Sequence, residues 1–337
     1  MTVLVTGGAG YIGSHLVWEL VDAGEHVVVL DRLSTGFEWA VAPEAKLVVG
    51  DIADSRLVAD IIDGFSVDAI VHFAGSIVVP ESVADPLGYY DNNTARTRTL
   101  LETAISCGVP HFIFSSTAAV YGATGMEPVR EDAPLRPESP YGRSKLMSEW
   151  MLADTAAAHG LKYTALRYFN VAGADPRGRT GQSTVGATHL IKVACETALG
   201  KRASMQVFGT DYPTPDGTCI RDYIHVSDLA VAHRLALQRL RDGGDSLIAN
   251  CGYSHGFSVL DVIDSVKRMN GRAFDVFFAE RRAGDTAAVV ADSARARQEL
   301  AWVPKLDDLD AIVASALDWE DRLGRRNSFH GLDREVA

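Results

Sequence analysis

The run Thr6-Gly7-Gly8-Ala9-Gly10-Tyr11-Ile12-Gly13, set between an apolar strand and a helix, constrains this chain more than any other stretch. Residues 2–6 read as a strand, and a helical segment over about 11–23 follows the glycines and stops at Gly24. His26-Val27-Val28-Val29-Leu30-Asp31 is then a second buried strand. Strand, helix and strand within about thirty residues make a βαβ unit, whose parallel strands need a right-handed crossover. Gly7 permits the tight turn, Gly10 lets the backbone approach a phosphate, and Gly13 lets the helix pack closely on the sheet. A pyrophosphate fits at that helix N-terminus, where unpaired amides and the dipole favour an anion. Asp31 ends the second strand, where a carboxylate can accept from both hydroxyls of a ribose. It repels a 2'-phosphate, so the corner favours NAD over NADP, with Arg32 as the neighbour able to accommodate that phosphate. Asp51, after the third strand, is placed either to meet the adenine edge or to form a turn.

The same rhythm continues. Strands are expected at 46–50, 69–73, 112–115 and 163–169, with helices over about 54–63, 87–107 and 141–158. Such alternation predicts an α/β doubly wound parallel sheet of the Rossmann type, with helices on both faces. Beyond Phe169 the regularity lapses into glycine-rich and polar loops at 171–187 and 209–219. Helices are expected there over about 188–199, 227–240, 259–269 (N-capped by Ser258) and 307–322. Residues 1–170 with about 222–243 therefore read as a dinucleotide-binding unit, and 171–221 with 244–337 as a smaller α/β lobe.

The 337 residues carry a formal net charge of -12, which disfavours a nucleic-acid partner. A nucleotide ligand must then be met by locally placed Arg and Lys. Cys107, Cys195, Cys219 and Cys251 are dispersed, with no metal-binding spacing, and read as reduced thiols of a cytoplasmic protein without a metal. No apolar run approaches the length of a membrane span, and the N-terminus shows no signal peptide.

Tyr141-Gly142-Arg143-Ser144-Lys145 carries the chemistry. Residues four apart share a helix face, so Lys145 stands beside Tyr141. A phenol of pKa about 10 is a poor base at neutral pH. A neighbouring ammonium and a cationic nicotinamide both favour the phenolate.

With these stand Thr6 through His15, His72-Phe73-Ala74-Gly75, Tyr89-Tyr90-Asp91-Asn92-Asn93, Phe114 through Gly122 and Ser139 through Lys145. Leu166 through Asn170, Phe208 through Thr214, Arg221 through Val226 and Arg281-Arg282-Ala283-Gly284-Asp285 follow in order. Together they resemble the extended short-chain dehydrogenase/reductases and, among them, the UDP-glucose (UDP-galactose) 4-epimerases, over roughly residues 2–320. The resemblance implies a bound NAD, a UDP-hexose substrate inverted at C4, and a homodimer through the helices at about 87–107 and 141–158. It implies that Tyr141 removes the 4-hydroxyl proton, that Lys145 holds the nicotinamide ribose and tunes Tyr141, and that Thr117 bonds the 4-oxygen. It assigns to the cofactor Gly7, Gly10, Tyr11, Ile12, Asp31, Asp51, Ile52, Phe73, Ala74, Gly75, Asn92, Ser115 and Tyr168, with Tyr141 and Lys145. To the sugar nucleotide it assigns Asn170 (phosphate), Arg221 and Arg282 (diphosphate), Asp285 (uridine ribose), and Phe208 and Tyr223 against the nucleotide. His189, Leu190 and Gln206 complete that set with Thr117.

Three departures bear on this. Ile77 stands where relatives place a Lys near the cofactor, which weakens retention of NAD. His189 replaces a common Asn. Val289 stands where relatives often close the sugar pocket with Tyr, so either an N-acetyl group at C2 gains room or Val289 is ordinary strand packing. A dehydratase of this fold needs acidic residues directly after Thr117; Ala118 and Ala119 stand there instead. Epimerases of UDP-pentoses or UDP-uronates, and a non-catalytic NAD sensor of the same fold, are the other readings.

Overall fold

The computed structural model describes residues 1–282 and 285–330. The first βαβ unit is β1 (Thr2–Thr6), α1 (Tyr11–Asp22) and β2 (His26–Asp31). Next come β3 (Lys46–Val49), α2 (Ser55–Phe65) and β4 (Val67–His72). Two short helices, α3 (Val79–Ala84) and α4 (Pro86–Tyr90), run through a π-helical turn at Asp91–Ala95 into α5 (Arg96–Ser106). β5 (His111–Thr117), α6 (Pro140–His159) and β6 (Lys162–Tyr168) complete the regular part.

Strand order in the main sheet is β11-β6-β5-β4-β1-β2-β3, where β11 is Leu247–Cys251, and every pairing is parallel. Chain order reverses between β1 and β4, which makes that point the crevice where a doubly wound sheet binds ligands. Alternate residues of the same strands fill two cores. Val3, Val5, Val27, Val29 and Val71 face one, and Leu4, Val28, Leu30, Ile70 and Phe112 the other. The sequence division ended the sheet-bearing unit near residue 243; β11 extends it. It follows the long α8 (Val226–Arg241) as a parallel neighbour of β6.

The remaining chain is built on short strands that the sequence does not announce. β7 (Asn170–Ala172) pairs with β10 (Tyr223–His225), β8 (Met205–Phe208) with β13 (Val276–Ala279), and β9 (Ile220–Arg221) lies between β12 (Phe257–Ser258) and β14 (Ala288–Val289). Strands of two or three residues carry too little alternation to be read from a pattern. Around them pack α7 (Leu190–Ala198), α9 (Val259–Asn270) and α11 (Leu309–His330), with α10 (Ala294–Glu299) against β11. Ser258 caps α9 as expected, and Asp261 completes a reciprocal capping box.

Candidate active site

The glycine loop sits where β1 and β4 part. Gly7 has φ +71°, and a Cβ there would come 2.6 Å from the Ala74 amide nitrogen. A Cβ on Gly13 would come 2.2 Å from the Gly7 carbonyl oxygen. The backbone therefore leaves no volume for side chains at the point where a pyrophosphate would lie. Gly10 begins α1 without any side-chain cap, so the first helical amides remain free for an anion. Asp31 accepts from the Ala9 amide at 3.0 Å and the Leu33 amide at 2.8 Å. Those bonds aim its carboxylate at the loop while leaving lone pairs for a ribose.

Asp51 forms a turn by accepting from the Ala53 amide at 2.9 Å, and its other oxygen pairs with Arg96 and, at 3.4 Å, with Arg32. Arg32 also donates to Asn92 at 3.1 Å, and Asn92 donates to Ser76 Oγ at 2.9 Å. Arg32 is thus committed across the groove. Tyr11 donates to the Gly173 carbonyl at 2.7 Å and ties the loop to the lobe. Ile12 and Phe73 pack against one core, and Ile52 and Ala74 belong to the other. Ile77 is half exposed.

The Tyr-x-x-x-Lys helix forms because Ser139 caps it, accepting from the Gly142 amide at 3.1 Å, with Pro140 opening the first turn. Tyr141, Lys145 and Thr117 are all buried, together with Ser115 at the end of β5. The Thr117 side chain stands against the Tyr141 phenol and favours its ionised form, and its Oγ accepts from the Ala119 amide at 3.1 Å. Ser115 contributes twice: its carbonyl accepts from Lys145 Nζ at 3.0 Å, and its hydroxyl pairs with the Tyr168 phenol. Lys145 Nζ also lies 3.7 Å from where a Cβ on Gly75 would stand. Five residues from β5, β6 and α6 thereby converge, with Gly75, just beyond β4, beside them.

One electrostatic expectation is corrected. Burial pushes the Tyr141 phenol up, and only the Thr117 side chain works downward. Helical spacing does place Lys145 on the face of Tyr141, with its ammonium anchored on the Ser115 carbonyl, and burial sets the net direction of the phenol. Burial also lowers Lys145 to about 8, against an upward pull from Glu149.

Of the residues expected at the nucleotide end, Asn170, His189, Leu190 and Tyr223 line one pocket together with Tyr11 of the glycine loop. The others form a second group on the lobe. Arg282 stacks its guanidinium 3.7 Å from the centre of the Phe208 ring, and Gln206 shares that strand face. Arg221 lies 3.8 Å from Asp285 and donates to the Ile220 and Thr286 carbonyls. Ala283 and Gly284 of that motif lie outside the described residues. Val289 packs beside the cluster of Val120, Tyr121 and Phe169.

Sequence reasoning missed Asn93. It is buried in the π-helical turn, accepts from the Ser76 amide at 2.7 Å, and donates to the Ser76 carbonyl and to Ser144 Oγ. An Asn pair inside a helix, where Asn is a poor former, was the available signal. It missed as well a buried ion pair between Glu149 and Arg167 behind the catalytic helix. Among the described residues no His, Cys, Asp and Glu group could hold a metal, and no helix is long and apolar enough to cross a membrane.

Comparison with known proteins agrees with this arrangement. Residues 3–252 match the NAD dependent epimerase/dehydratase family. The UDP-glucose 4-epimerase of Azospirillum brasilense is 58% identical over 321 residues, 95% of this chain and 92% of that protein. The crystal structure of UDP-glucose 4-epimerase from Brucella ovis in complex with NAD superposes with a TM-score of 0.92 at 44% identity, covering 94% of this chain and 97% of that one. The UDP-Glc/GlcNAc 4-epimerase from Campylobacter jejuni superposes at 0.84 and 47% identity, covering 95% and 99%. The glycine cradle, the Thr117, Tyr141 and Lys145 group and these matches agree: the chain belongs to the NAD dependent epimerase/dehydratase family, among the UDP-glucose 4-epimerases.

Proposed function

We propose that this chain interconverts UDP-glucose and UDP-galactose by inverting C4, with Tyr141 as base, Thr117 as the group that holds the 4-oxygen, and Lys145 as their cationic neighbour. The observation that carries the reading is the buried Thr117 and Tyr141 hydroxyl pair at the end of β5, beside a glycine cradle with no room for Cβ atoms. NAD, when bound, would supply the reversible hydride acceptor for C4. The residues fit that group: the cradle suits a pyrophosphate, Asp31 a ribose, and Arg32 is held by Asp51 and Asn92 instead of being free for a 2'-phosphate. Tyr141 takes the hydroxyl proton as C4 is oxidised and gives it back as C4 is reduced. Proton and electron pair both return to the sugar, so no net redox occurs. Arg221, Arg282 and Asp285 would hold the diphosphate and uridine ribose, with Asn170, His189, Leu190, Gln206, Phe208 and Tyr223 around them.

We assign dinucleotide binding to residues 1–170 and about 222–243 with β11 added, and sugar-nucleotide binding to 171–221 and the rest of 244–337. The experiment is conversion of UDP-glucose by the purified chain with no cofactor added. Formation of UDP-galactose without net reduced nicotinamide is the expected result, and no product from UDP-glucose overturns the reading.

We also propose that Val289, a small side chain beside Val120, Tyr121 and Phe169, leaves room for the N-acetyl group of UDP-N-acetylhexosamines. Val289→Tyr is expected to lower kcat/KM for UDP-N-acetylglucosamine about tenfold or more while changing UDP-glucose little. Equal losses on both sugars would remove pocket size as the cause.

A homodimer is part of the same proposal. Leu87 of α4, Val83 of α3, and Met147 and Trp150 of α6 are large apolar side chains left exposed on neighbouring helices. A second copy covering this face should give a two-chain mass in sedimentation, and a one-chain mass at micromolar concentration counts against it. Four free cysteines suit a reducing compartment, and we assign the chain to the cytoplasm.

A further inference from the structure

Behind the proposed catalytic pair lies a buried charged cluster. Tyr141, Lys145 and Glu149 are spaced four apart and share one face of α6. Glu149 and Arg167 have side chains only 2% exposed. Arg167 grips the carboxylate in bidentate fashion, Nε at 2.9 Å and the second terminal nitrogen at 2.6 Å, and Ser116 Oγ donates to the same carboxylate at 2.5 Å. The remaining Arg167 nitrogen donates to the Tyr121 hydroxyl at 3.0 Å, which donates in turn to Asn250 at 2.7 Å. Ser116 lies between Ser115 and Thr117 on β5, and Arg167 directly precedes Tyr168 on β6. Ser115 and Thr117, which contact the Tyr141 and Lys145 pair, therefore flank a residue bonded to Glu149, and so does Tyr168, which bonds Ser115.

A buried ion pair is a costly way to hold a core together, because hydrophobic residues of similar volume often do it as well or better. Its placement accounts for it better than its stability does. Lys145 meets Tyr141 and Glu149 from its own helix and, from β4, His72, which burial keeps neutral. From β5 it meets the Ser115 carbonyl and the Phe114 ring, 5.0 Å away. From β6, Tyr168 reaches the same Ser115, and Arg167 stands behind Glu149. Asn93 and Tyr89 approach from the π-helical turn and α4 without charge. Glu149 is the one carboxylate in this set.

We propose that Glu149 is a positioning residue of the epimerisation: clamped by Arg167 and Ser116, it locks the helix bearing Tyr141 and Lys145 onto β5 and β6 and holds Lys145 in its charged form. The inference rests on Tyr141 being the base and Lys145 its cationic neighbour. Burial already favours a neutral Lys145, and the anion opposes that. Without Glu149 the ammonium loses its proton at lower pH, the Tyr141 phenolate loses its cation, and the phenol ionises at higher pH.

The test follows two readouts across pH in the purified full-length enzyme. One is the rate of reduced-nicotinamide absorbance on mixing with UDP-glucose. The other is tyrosinate absorbance, assigned to Tyr141 by difference from Tyr141→Phe. Glu149→Gln should move both midpoints alkaline by about one pH unit, slowing the reaction about tenfold below the midpoint, with KM changed less than about threefold. Glu149→Asp keeps the charge and should hold the midpoint near its original place. If Glu149→Gln does not fold, Glu149→Gln combined with Arg167→Met removes both charges at similar volume and should show the same displacement. A folded variant with reduced rate and an unmoved midpoint makes Glu149 merely structural and overturns the proposal. Full activity in Tyr141→Phe would instead overturn the assignment of the base, so the two failures are told apart.

Discussion

Tyr141→Phe is expected to lower turnover of UDP-glucose by about a hundredfold to ten-thousandfold, the range of a positioned general acid–base, while leaving fold and dinucleotide content intact. The substitution removes one oxygen and keeps the ring in its buried place on α6. Thr117 loses one partner but still accepts from the Ala119 amide, so the stability change should stay near 1 kcal/mol. None of the glycine cradle, Asp31 or Lys145 depends on that oxygen: Lys145 is anchored on the Ser115 carbonyl, and Asp31 on two backbone amides. The check is kcat with UDP-glucose alongside the amount of NAD released on denaturing the purified variant. Equal NAD content with a collapse in kcat places the phenol in the chemistry. A variant that turns over at the original rate removes Tyr141 as the base, and one that loses its NAD shows that the hydroxyl holds the cofactor instead.

What the sequence made legible follows how local each feature is. The βαβ rhythm shows because every strand of the main sheet but β11 lies in a long apolar run bounded by turn residues, and α6 because Ser139 and Pro140 mark its start. Of the proposed catalytic trio, Tyr141 and Lys145 were legible because they sit four apart on one helix, and Thr117 only through the family resemblance. The π-helical turn at Asp91–Ala95 was read as ordinary helix, since one extra residue in a turn leaves the apolar spacing almost unchanged. The direction of the Tyr141 shift was also out of reach: burial raises the phenol, and that burial depends on β5 and β6 packing against α6. Glu149 draws no reading from the sequence. Its burial depends on Arg167 and Ser116 arriving from two other strands, and no pattern within α6 records that. From sequence, Asp51 is either a turn-former or an adenine contact. It forms the turn and carries two arginines as well.

Gly13→Ala should be the more damaging change despite adding only a methyl group. Gly13 lies in the first turn of α1 with ordinary helical backbone, so Ala carries no conformational penalty there and helix propensity alone would favour it. Space decides the sign. The new Cβ would stand 2.2 Å from the Gly7 carbonyl oxygen and 2.9 Å from the Gly8 Cα, both of them backbone atoms, so no rotamer change relieves the overlap. Gly7 cannot retreat, because its own Cα is packed against the Ala74 amide at the β1 and β4 junction. The helix must therefore slide off the sheet, at a cost of about 2–3 kcal/mol for overpacking a tight core. That movement also separates the α1 amides from the loop, which dismantles the anion site. The purified variant should melt lower and contain almost no NAD, where Tyr141→Phe keeps both, and added NAD should restore little activity. A Gly13→Ala protein that retains stoichiometric NAD at the original melting temperature would show that the helix can shift without loss, and the cradle would no longer account for cofactor binding.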